Sequence, residues 1–278
     1  MTAADGLCAV VLAAGAGTRL RPLTLLRPKA LCPVGNVPLL DRALDRVAAL
    51  GLAGPGTVAV NASHLADQVV AHVGDRVHLS VEPDGPLGTA GGVGRLRDWI
   101  DGRPALVANA DAYLAGGSLQ ALLAGWDGRT VRLLGVPAAP GQVGIFSGFA
   151  FAGFSLLPWR RVRRLPDEPG ELVRAVWRPA EAAGALEVVP FDGHFRDTGT
   201  AAGYLAANLH AAAAAGGRGG NLIAAGAVVA GRCVSSVVGC GAVVRGRLTR
   251  SVVWPGCTVR RDEHLTDSIR AGPAVPPS

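Results

Sequence analysis

The sequence has almost no lysine, few aromatic residues, and no cysteine pattern that predicts a metal site or a set of disulfides. Lys29 is the single lysine among 27 basic residues, and the others are all arginine. The five cysteines lie far apart, without a CxxC pair. This usage predicts free thiols in a reducing compartment and argues against a metal held by cysteine.

Long hydrophobic runs are also missing. No uncharged stretch is long enough to cross a bilayer, and no secretory signal pattern opens the chain, because Asp5 precedes a short apolar run. We therefore expect a cytoplasmic protein with no membrane partner. Scattered arginines and an aromatic content of 5% argue against nucleic acid, whose binding surfaces combine a basic stripe with stacking aromatics. The net charge of +6 suits a small polyanionic substrate.

An apolar segment at residues 7–12 predicts a buried strand that runs into a glycine-containing loop, followed by arginines and by Lys29. A loop that leaves the carboxyl end of a first strand offers backbone amides to an anion, with cations behind it. Ligands of α/β sheets bind at that edge. The loop matches neither the Walker A motif nor the dinucleotide fingerprint. It predicts a polyphosphate site of another kind.

The remaining pattern predicts an α/β domain followed by a small appendage, which a chain of 278 residues can accommodate. Helical spacing at 38–50 and 65–73 alternates with apolar strands at 57–60 and 77–82. With the first strand this order predicts a doubly wound, mostly parallel sheet covered on both faces. Further strands are expected at 104–108, 130–136 and 146–154, and helices at 172–183 and 201–215.

A glycine run and an internal repeat mark the C-terminal part. GGRGG at 216–220 predicts a flexible linker. Segments that begin at Asn221, Ser236 and Ser251 repeat every 15 residues, and Ser268 begins a fourth turn. Short apolar pairs between small residues predict a β-solenoid. The expected division is therefore a catalytic domain at 1–215, a linker at 216–220, and a solenoid with a tail at 221–278.

The strings LAAGAGTRLRPLT and RPKALCPVGNVPLL resemble the signature of the sugar-phosphate nucleotidylyltransferases, the NDP-sugar pyrophosphorylases. With LGTAGG and the solenoid, the closest resemblance is to mannose-1-phosphate guanylyltransferase-like proteins that carry a C-terminal left-handed β-helix. The resemblance implies a Rossmann-like α/β domain, a short left-handed β-helix, and an enzyme that converts an NTP and a sugar 1-phosphate into an NDP-sugar and pyrophosphate. It also leads us to expect a homodimer formed through the β-helix.

The resemblance also implies roles for individual residues. Arg19 and Lys29 would be catalytic, and Asp111 and Asp197 would hold Mg²⁺. The sugar phosphate would be bound by Asn109, Gly148 and Arg196. The residues expected to bind the nucleotide are Leu12, Ala13, Ala14, Gly15, Gly17, Thr18, Glu82, Gly88 and Thr89.

The identity of the substrates is less constrained. Glu82 matches a position near the base edge, where a carboxylate accepts hydrogen bonds from both N1–H and N2–H of guanine, whereas uracil offers one donor. This favours GTP over UTP. Mannose 1-phosphate is the first choice of sugar, because LGTAGG and the solenoid together resemble mannose-1-phosphate guanylyltransferases.

One segment departs from the family pattern. Most members carry a Glu-Lys-Pro motif whose lysine contacts the sugar phosphate, whereas PAAPGQVGIFSG at 137–148 is short and lacks lysine. Short members that resemble N-acetylmuramate-1-phosphate uridylyltransferases share this feature. Arg178 and Arg196 are the candidates to replace the lysine. Three alternatives stay open: a uridylyl- or other nucleotidylyltransferase for an unusual sugar or cyclitol phosphate, a catalytically silent sensor of nucleotide sugars, and a β-helix scaffold.

Overall fold

The structure, a computed structural model, describes residues 6–272. Asp5 and the predicted tail at 273–278 lie outside the described residues. Strands and helices alternate in the first part of the chain, in the order β1 (Cys8–Leu12), α1 (Leu23–Leu26), β2 (Pro33–Val34), β3 (Val37–Pro38), α2 (Leu39–Ala48), β4 (Val58–Ala62), α3 (Ala66–Val73), β5 (His78–Val81), α4 (Gly88–Arg95), α5 (Arg97–Ile100), β6 (Ala105–Asn109) and β7 (Ala112–Ala115).

The next part contains more antiparallel pairing. The helix predicted at 172–183 is a π-helical segment, Val173–Trp177, that continues into a short α-helix. The elements in chain order are α6 (Gln120–Leu123), β8 (Val131–Pro137), β9 (Ile145–Phe146), β10 (Phe149–Leu157), α7 (Trp159–Val162), α8 (Arg178–Ala182), β11 (Leu186–Pro190), β12 (His194–Asp197) and α9 (Ala201–Ala214).

A central sheet with the strand order β11-β8-β10-β6-β1-β4-β5 organises this part of the chain, and β9 pairs with β10. Strand β10 is antiparallel to its neighbours on either side, β6 and β8. Alternation along β1 places Ala9 and Val11 in one apolar core and Cys8 and Val10 in another, one on each face of the sheet. The predicted fold class, a mostly parallel doubly wound sheet, is confirmed.

The topology brings several predicted site residues to one edge. Strands β1, β4 and β6 are parallel neighbours, so their carboxyl ends lie side by side. A separate antiparallel ribbon of β7 and β12 pairs Ala112 with Asp197. Asp111 immediately precedes Ala112 in the chain, so the ribbon brings the backbones of the two predicted metal ligands close together.

The C-terminal part forms three parallel sheets that stack coil on coil as a β-helix. Residues 222, 237 and 252 are in register at the predicted spacing of 15, whereas the next coil aligns residue 269 with 252, because that coil is two residues longer. The strands are β13 (Leu222–Ile223), β14 (Val228–Val229), β15 (Arg232–Val234), β16 (Val237–Val238), β17 (Val243–Val244), β18 (Arg247–Thr249), β19 (Val252–Val253), β20 (Thr258–Val259), β21 (His264–Thr266) and β22 (Ile269–Arg270).

The segment predicted as a flexible linker is tied to the β-helix. Residues 218–220 form a 3₁₀ turn, and the Gly219 carbonyl accepts a hydrogen bond from the Ser235 amide at 2.9 Å. One apolar cluster contains Val34 and Tyr204 from the α/β part together with Val253 and Trp254 from the β-helix. The glycine run therefore marks a change of architecture within a continuous core.

Tyr204 joins the two parts of this core by hydrogen bonds. Its buried hydroxyl donates to the Pro33 carbonyl and accepts from Trp254 Nε1 at 2.9 Å. Tyr204→Phe would leave both partners buried and unpaired, so we expect the free energy of unfolding in urea to fall by about 1–3 kcal/mol. Tyr113→Phe is the matched control, since that hydroxyl is only partly buried and contacts one partner, His210. Identical unfolding midpoints for Tyr204→Phe and the native chain would contradict this role.

Within residues 6–272, no helix is both long and apolar enough to cross a bilayer.

Candidate active site

A cleft of about 640 Å³, part of it open to solvent, lies at the carboxyl edge of the central sheet. This edge is where α/β sheets bind small molecules. The ends of β1, β4 and β6 and the start of α4 form its walls. The predicted site residues that line it are Leu12, Ala13, Ala14, Gly15, Lys29, Gly88, Thr89, Asn109 and Asp111.

The loop after β1 is held by contacts that require glycine at position 17. Gly17 has a positive φ of 59°, and its carbonyl accepts a hydrogen bond from Thr24 Oγ1 at 2.9 Å. A Cβ at this position would lie 2.7 Å from Thr24 Cγ2 and 3.1 Å from Lys29 Cβ. The loop therefore passes directly over the turn that carries Lys29. Thr18 follows it at the exposed start of a 3₁₀ turn and is not one of the lining residues.

Lys29 presents its amino group to the cleft from a buried position. Its side chain is 9% exposed, and Nζ lies 2.5 Å from Asp111 Oδ2, a carboxylate that is 38% exposed. A buried ammonium group needs such a partner. The pair leaves Asp111 open to solvent on one side and keeps a positive charge beside the loop.

The second predicted metal carboxylate lies at the rim. Asp197 is 60% exposed, accepts a hydrogen bond from the Gly199 amide at 2.8 Å, and has Arg19 at 4.0 Å. Buried Thr198 donates its hydroxyl to the Asp111 carbonyl at 2.7 Å. This bond fixes the two acidic positions relative to each other. Neither Arg19 nor Asp197 is one of the lining residues.

The two carboxylates fit a hard divalent cation. The described residues contain no group of three or more His, Cys, Asp or Glu side chains that would enclose a metal. Mg²⁺ commonly takes one or two protein carboxylates and completes its shell with water and phosphate oxygens. Asp111, which lines the cleft, and Asp197, which is exposed, are carboxylates of that kind.

Glu82 differs from its predicted place at the base edge. Its side chain is buried, at 2% exposure, and is not one of the lining residues. One carboxylate oxygen accepts from Asn61 Nδ2 at 2.7 Å, and the other accepts from the Leu87 amide at 2.8 Å. Because both oxygens accept hydrogen bonds inside the protein, Glu82 does not select guanine over uracil by direct contact with the base edge.

Three residues expected near the sugar phosphate do not reach the cleft lining. Gly148 lies in the exposed turn between β9 and β10. Arg178 stacks on Phe146 at 4.1 Å and pairs with Glu181 at 2.5 Å. Arg196 and Asp197 are strand neighbours, so their side chains leave opposite faces of the ribbon. Neither arginine lines the cleft.

The environment of His194 agrees with this orientation of Arg196. Burial, His210 and Arg196 lower the pKa of His194, in that order of effect. The two imidazole rings stack with centroids 3.7 Å apart. His194 and Arg196 are two residues apart on β12, so their side chains leave the same face of the ribbon.

Glu171 is a second acidic residue that lines the cleft, and the sequence did not predict it. Its Oε2 accepts a hydrogen bond from Thr89 Oγ1 at 2.7 Å. The same loop explains the glycine at position 88, because a Cβ there would lie 2.5 Å from the Gly170 carbonyl. Gly88 has a φ of 71°, so this loop and the backbone turn both require glycine. No local pattern around Glu171 signals its place.

Asn61 and Thr198 were also missed, although the sequence carried a signal for each. Asn61 is the last but one residue of β4, a parallel strand that ends at the ligand-binding edge, and Thr198 follows Asp197 in an Asp-Thr-Gly-Thr string. A polar residue at the end of a strand is a reasonable site candidate. Asn61 lines the cleft, and its Oδ1 accepts from the Ala13 amide at 2.7 Å. This bond removes the Ala13 amide from the donors expected to hold a phosphate.

The N-terminal part of the chain is similar to known nucleotidyltransferases. The nucleotidyl transferase family model matches residues 8–129. The chain is 40% identical over 130 residues to N-acetylmuramate alpha-1-phosphate uridylyltransferase of Caulobacter vibrioides, covering 43% of this chain and 52% of the relative. It is 38% identical over 120 residues to mannose-1-phosphate guanylyltransferase of Mycobacterium tuberculosis, covering 41% and 32%. The chain thus spans about half or less of the length of these relatives.

A solved structure extends the likeness of fold over more of the chain. A protein described as a glucose-1-phosphate thymidylyltransferase from Bacillus anthracis superposes with a TM-score of 0.63 at 18% identity, covering 74% of this chain and 95% of that one. At this identity the likeness concerns the fold alone. The segment that matches the nucleotidyl transferase family model, residues 8–129, holds the loop after β1, Lys29 and Asp111, and this segment is similar to the sugar-phosphate nucleotidyltransferases named above.

Proposed function

We propose that this protein is a Mg²⁺-dependent sugar-1-phosphate nucleotidylyltransferase. The observation that carries the proposal is the buried Lys29 amino group, held 2.5 Å from Asp111 beside the loop after β1. A positive charge kept in a cleft with two nearby carboxylates suits a reaction between two phosphate anions, for which positioning and charge neutralisation are the main tasks. The names of the related proteins support the same reaction class.

In the proposed reaction, an oxygen of the sugar 1-phosphate forms a bond to the α-phosphorus of the NTP. The bond from that phosphorus to the β-bridging oxygen breaks, and pyrophosphate leaves with the bonding electrons. Lys29 would neutralise charge near the α-phosphate, and Arg19 would do so at the exposed rim. Backbone amides of the loop at Gly15 and Gly17 would orient the triphosphate.

Asp111 and Asp197 would hold Mg²⁺, which when bound polarises a phosphoryl oxygen and offsets negative charge. Asn109 would contribute to the acceptor side of the cleft, and Gly88 and Thr89 to the nucleotide side. The β-helix would support the catalytic domain through the shared core and provide the contacts of a homodimer.

GTP with mannose 1-phosphate is the first substrate pair we propose, supported by LGTAGG, the β-helix and the mycobacterial guanylyltransferase relative. The second candidate is uridylyl transfer to an unusual sugar or cyclitol phosphate. The Caulobacter uridylyltransferase relative and the short hairpin of β9 and β10 favour it.

Pyrophosphate release from a panel of four NTPs against several sugar 1-phosphates, with Mg²⁺, tests the proposal. We expect one pair to react far faster than the others and only when both substrates are present. Binding of an NTP without pyrophosphate release from any pair would contradict the proposed reaction and would favour a catalytically silent sensor. A chain that binds no NTP would favour a scaffold.

A further inference from the structure

A buried chain of hydrogen bonds connects the two loops on opposite sides of the cleft. The Ala13 amide, in the loop after β1, donates to Asn61 Oδ1 at 2.7 Å. Asn61 Nδ2 donates to Glu82 Oε1 at 2.7 Å. The Leu87 amide, in the loop before α4, donates to Glu82 Oε2 at 2.8 Å. Asn61 and Glu82 therefore join the two loops through the interior of the protein.

The direction of these bonds explains why a carboxylate is buried at position 82. At both ends of this chain of hydrogen bonds is a backbone N–H group, which can only donate. Asn61 accepts at one end and donates onward, so the next side chain must accept on both sides. An ionised carboxylate accepts hydrogen bonds on both sides, whereas a glutamine would turn its side-chain NH₂ group toward another donor. Both donors to Glu82 are uncharged.

Helix α4 packs directly on this pair. A Cβ at Gly92 would lie 2.6 Å from Asn61 Nδ2 and 3.2 Å from Glu82 Oε1. Glycine at this position lets the helix backbone approach the hydrogen bonds and exclude water from them. In such surroundings a broken bond is costly, because an unpaired polar group finds no solvent to replace its partner.

We propose that Asn61 and Glu82 are positioning residues that fix the separation of the two loops between which the NTP binds. The proposal rests on the proposed nucleotidyl transfer. Glu82 would thus act on the nucleotide through Leu87 and Asn61, without touching the base. Preorganised loops bind a ligand more tightly, because less order has to be created on binding.

Single substitutions that set two donors or two acceptors opposite each other should weaken NTP binding. Glu82→Gln would set its amino group against the Leu87 amide or against Asn61. Asn61→Asp would set two carboxylates against each other. For each variant we expect affinity for the NTP to fall roughly 10- to 100-fold, and KM for the sugar 1-phosphate to stay near its native value.

The double variant Asn61→Asp with Glu82→Gln should restore binding, because the order of donors and acceptors is complete again. The new carboxylate at position 61 would accept from the Ala13 amide and from the new amide group at position 82. The oxygen of that amide group would accept from the Leu87 amide. The negative charge moves from position 82 to position 61, and every hydrogen bond again has a donor and an acceptor.

Equilibrium binding of GTP, UTP, CTP and ATP to the full-length chain, with Mg²⁺ and no sugar phosphate, is the experiment. Ser63→Ala is the matched control, since its hydroxyl donates to the Glu82 carbonyl at 2.9 Å and lies outside the chain of bonds; its affinity should equal that of the native chain. Urea unfolding of each variant separates loss of fold from loss of affinity.

We expect weak binding by both single variants and near-native binding by the double variant. A double variant that binds no better than the weaker single variant would overturn the inference, as would single variants with lowered unfolding midpoints and native affinity. Native protein that binds an NTP with an affinity unaffected by the single changes would overturn this inference alone. Native protein that binds no NTP would overturn the proposed function and this inference with it.

Discussion

Lys29→Ala is expected to lower turnover by roughly two to three decades, the effect of removing one preorganised charge from a phosphoryl-transfer site. The amino group is buried beside the cleft and has Asp111 as its partner. Its removal takes away a positive charge that solvent cannot replace. Because Asp111 keeps access to solvent, the variant should remain folded.

Initial rates at saturating substrates test this expectation. Arg245→Ala removes the same charge from an exposed position on the β-helix and should leave the rate unchanged. Lys29→Arg keeps the charge but replaces a compact ammonium group with a larger, planar guanidinium group, so we expect partial activity. Turnover by Lys29→Ala within a few fold of the native rate would remove Lys29 from the proposed mechanism.

Asp197→Asn is expected to lower activity by about three decades, the rate equivalent of about 4 kcal/mol, and to abolish the normal response to Mg²⁺. The exposed carboxylate contacts the Gly199 amide and lies 4.0 Å from Arg19. Asparagine keeps an acceptor for that amide. The change therefore removes a metal ligand with little disturbance of the ribbon.

Rates measured across a range of Mg²⁺ concentrations distinguish this effect from simple inactivation. Asp111→Asn should behave similarly, although it also leaves the buried Lys29 without its charged partner, so Asp197→Asn is the cleaner variant. Asp98→Asn changes a fully solvated carboxylate and serves as the control. A variant of Asp197 with the native Mg²⁺ dependence would contradict the metal assignment.

Local sequence patterns were sufficient to predict the central sheet and the β-helix. The apolar run of β1 and the 15-residue repeat each indicate which side chains become buried, and the stability of both elements depends on that burial. Lys29, in the turn below the loop after β1, and Asp111, two residues after β6, both line the cleft. The resemblance to a known family assigned their proposed roles.

Contacts between distant segments could not be predicted from local sequence patterns. Glu82 matched a base-binding position, but its orientation depends on Asn61, 21 residues earlier. Glu171 enters the cleft because it bonds with Thr89, 82 residues away. The glycine run at 216–220 indicated a flexible boundary, whereas Tyr204 and Trp254 bring both sides of it into one core. A local pattern carries no information on such pairings.

Transfer of label from an NTP tests the central claim most directly. With the reactive pair from the substrate panel and Mg²⁺, label in the α-phosphate should appear in a nucleotide sugar, and label in the γ-phosphate should appear in pyrophosphate. Both should require the sugar 1-phosphate. Transfer of γ-label to the sugar phosphate, or release of γ-label as inorganic phosphate without the sugar, would show that a different bond of the NTP is broken and would contradict the account.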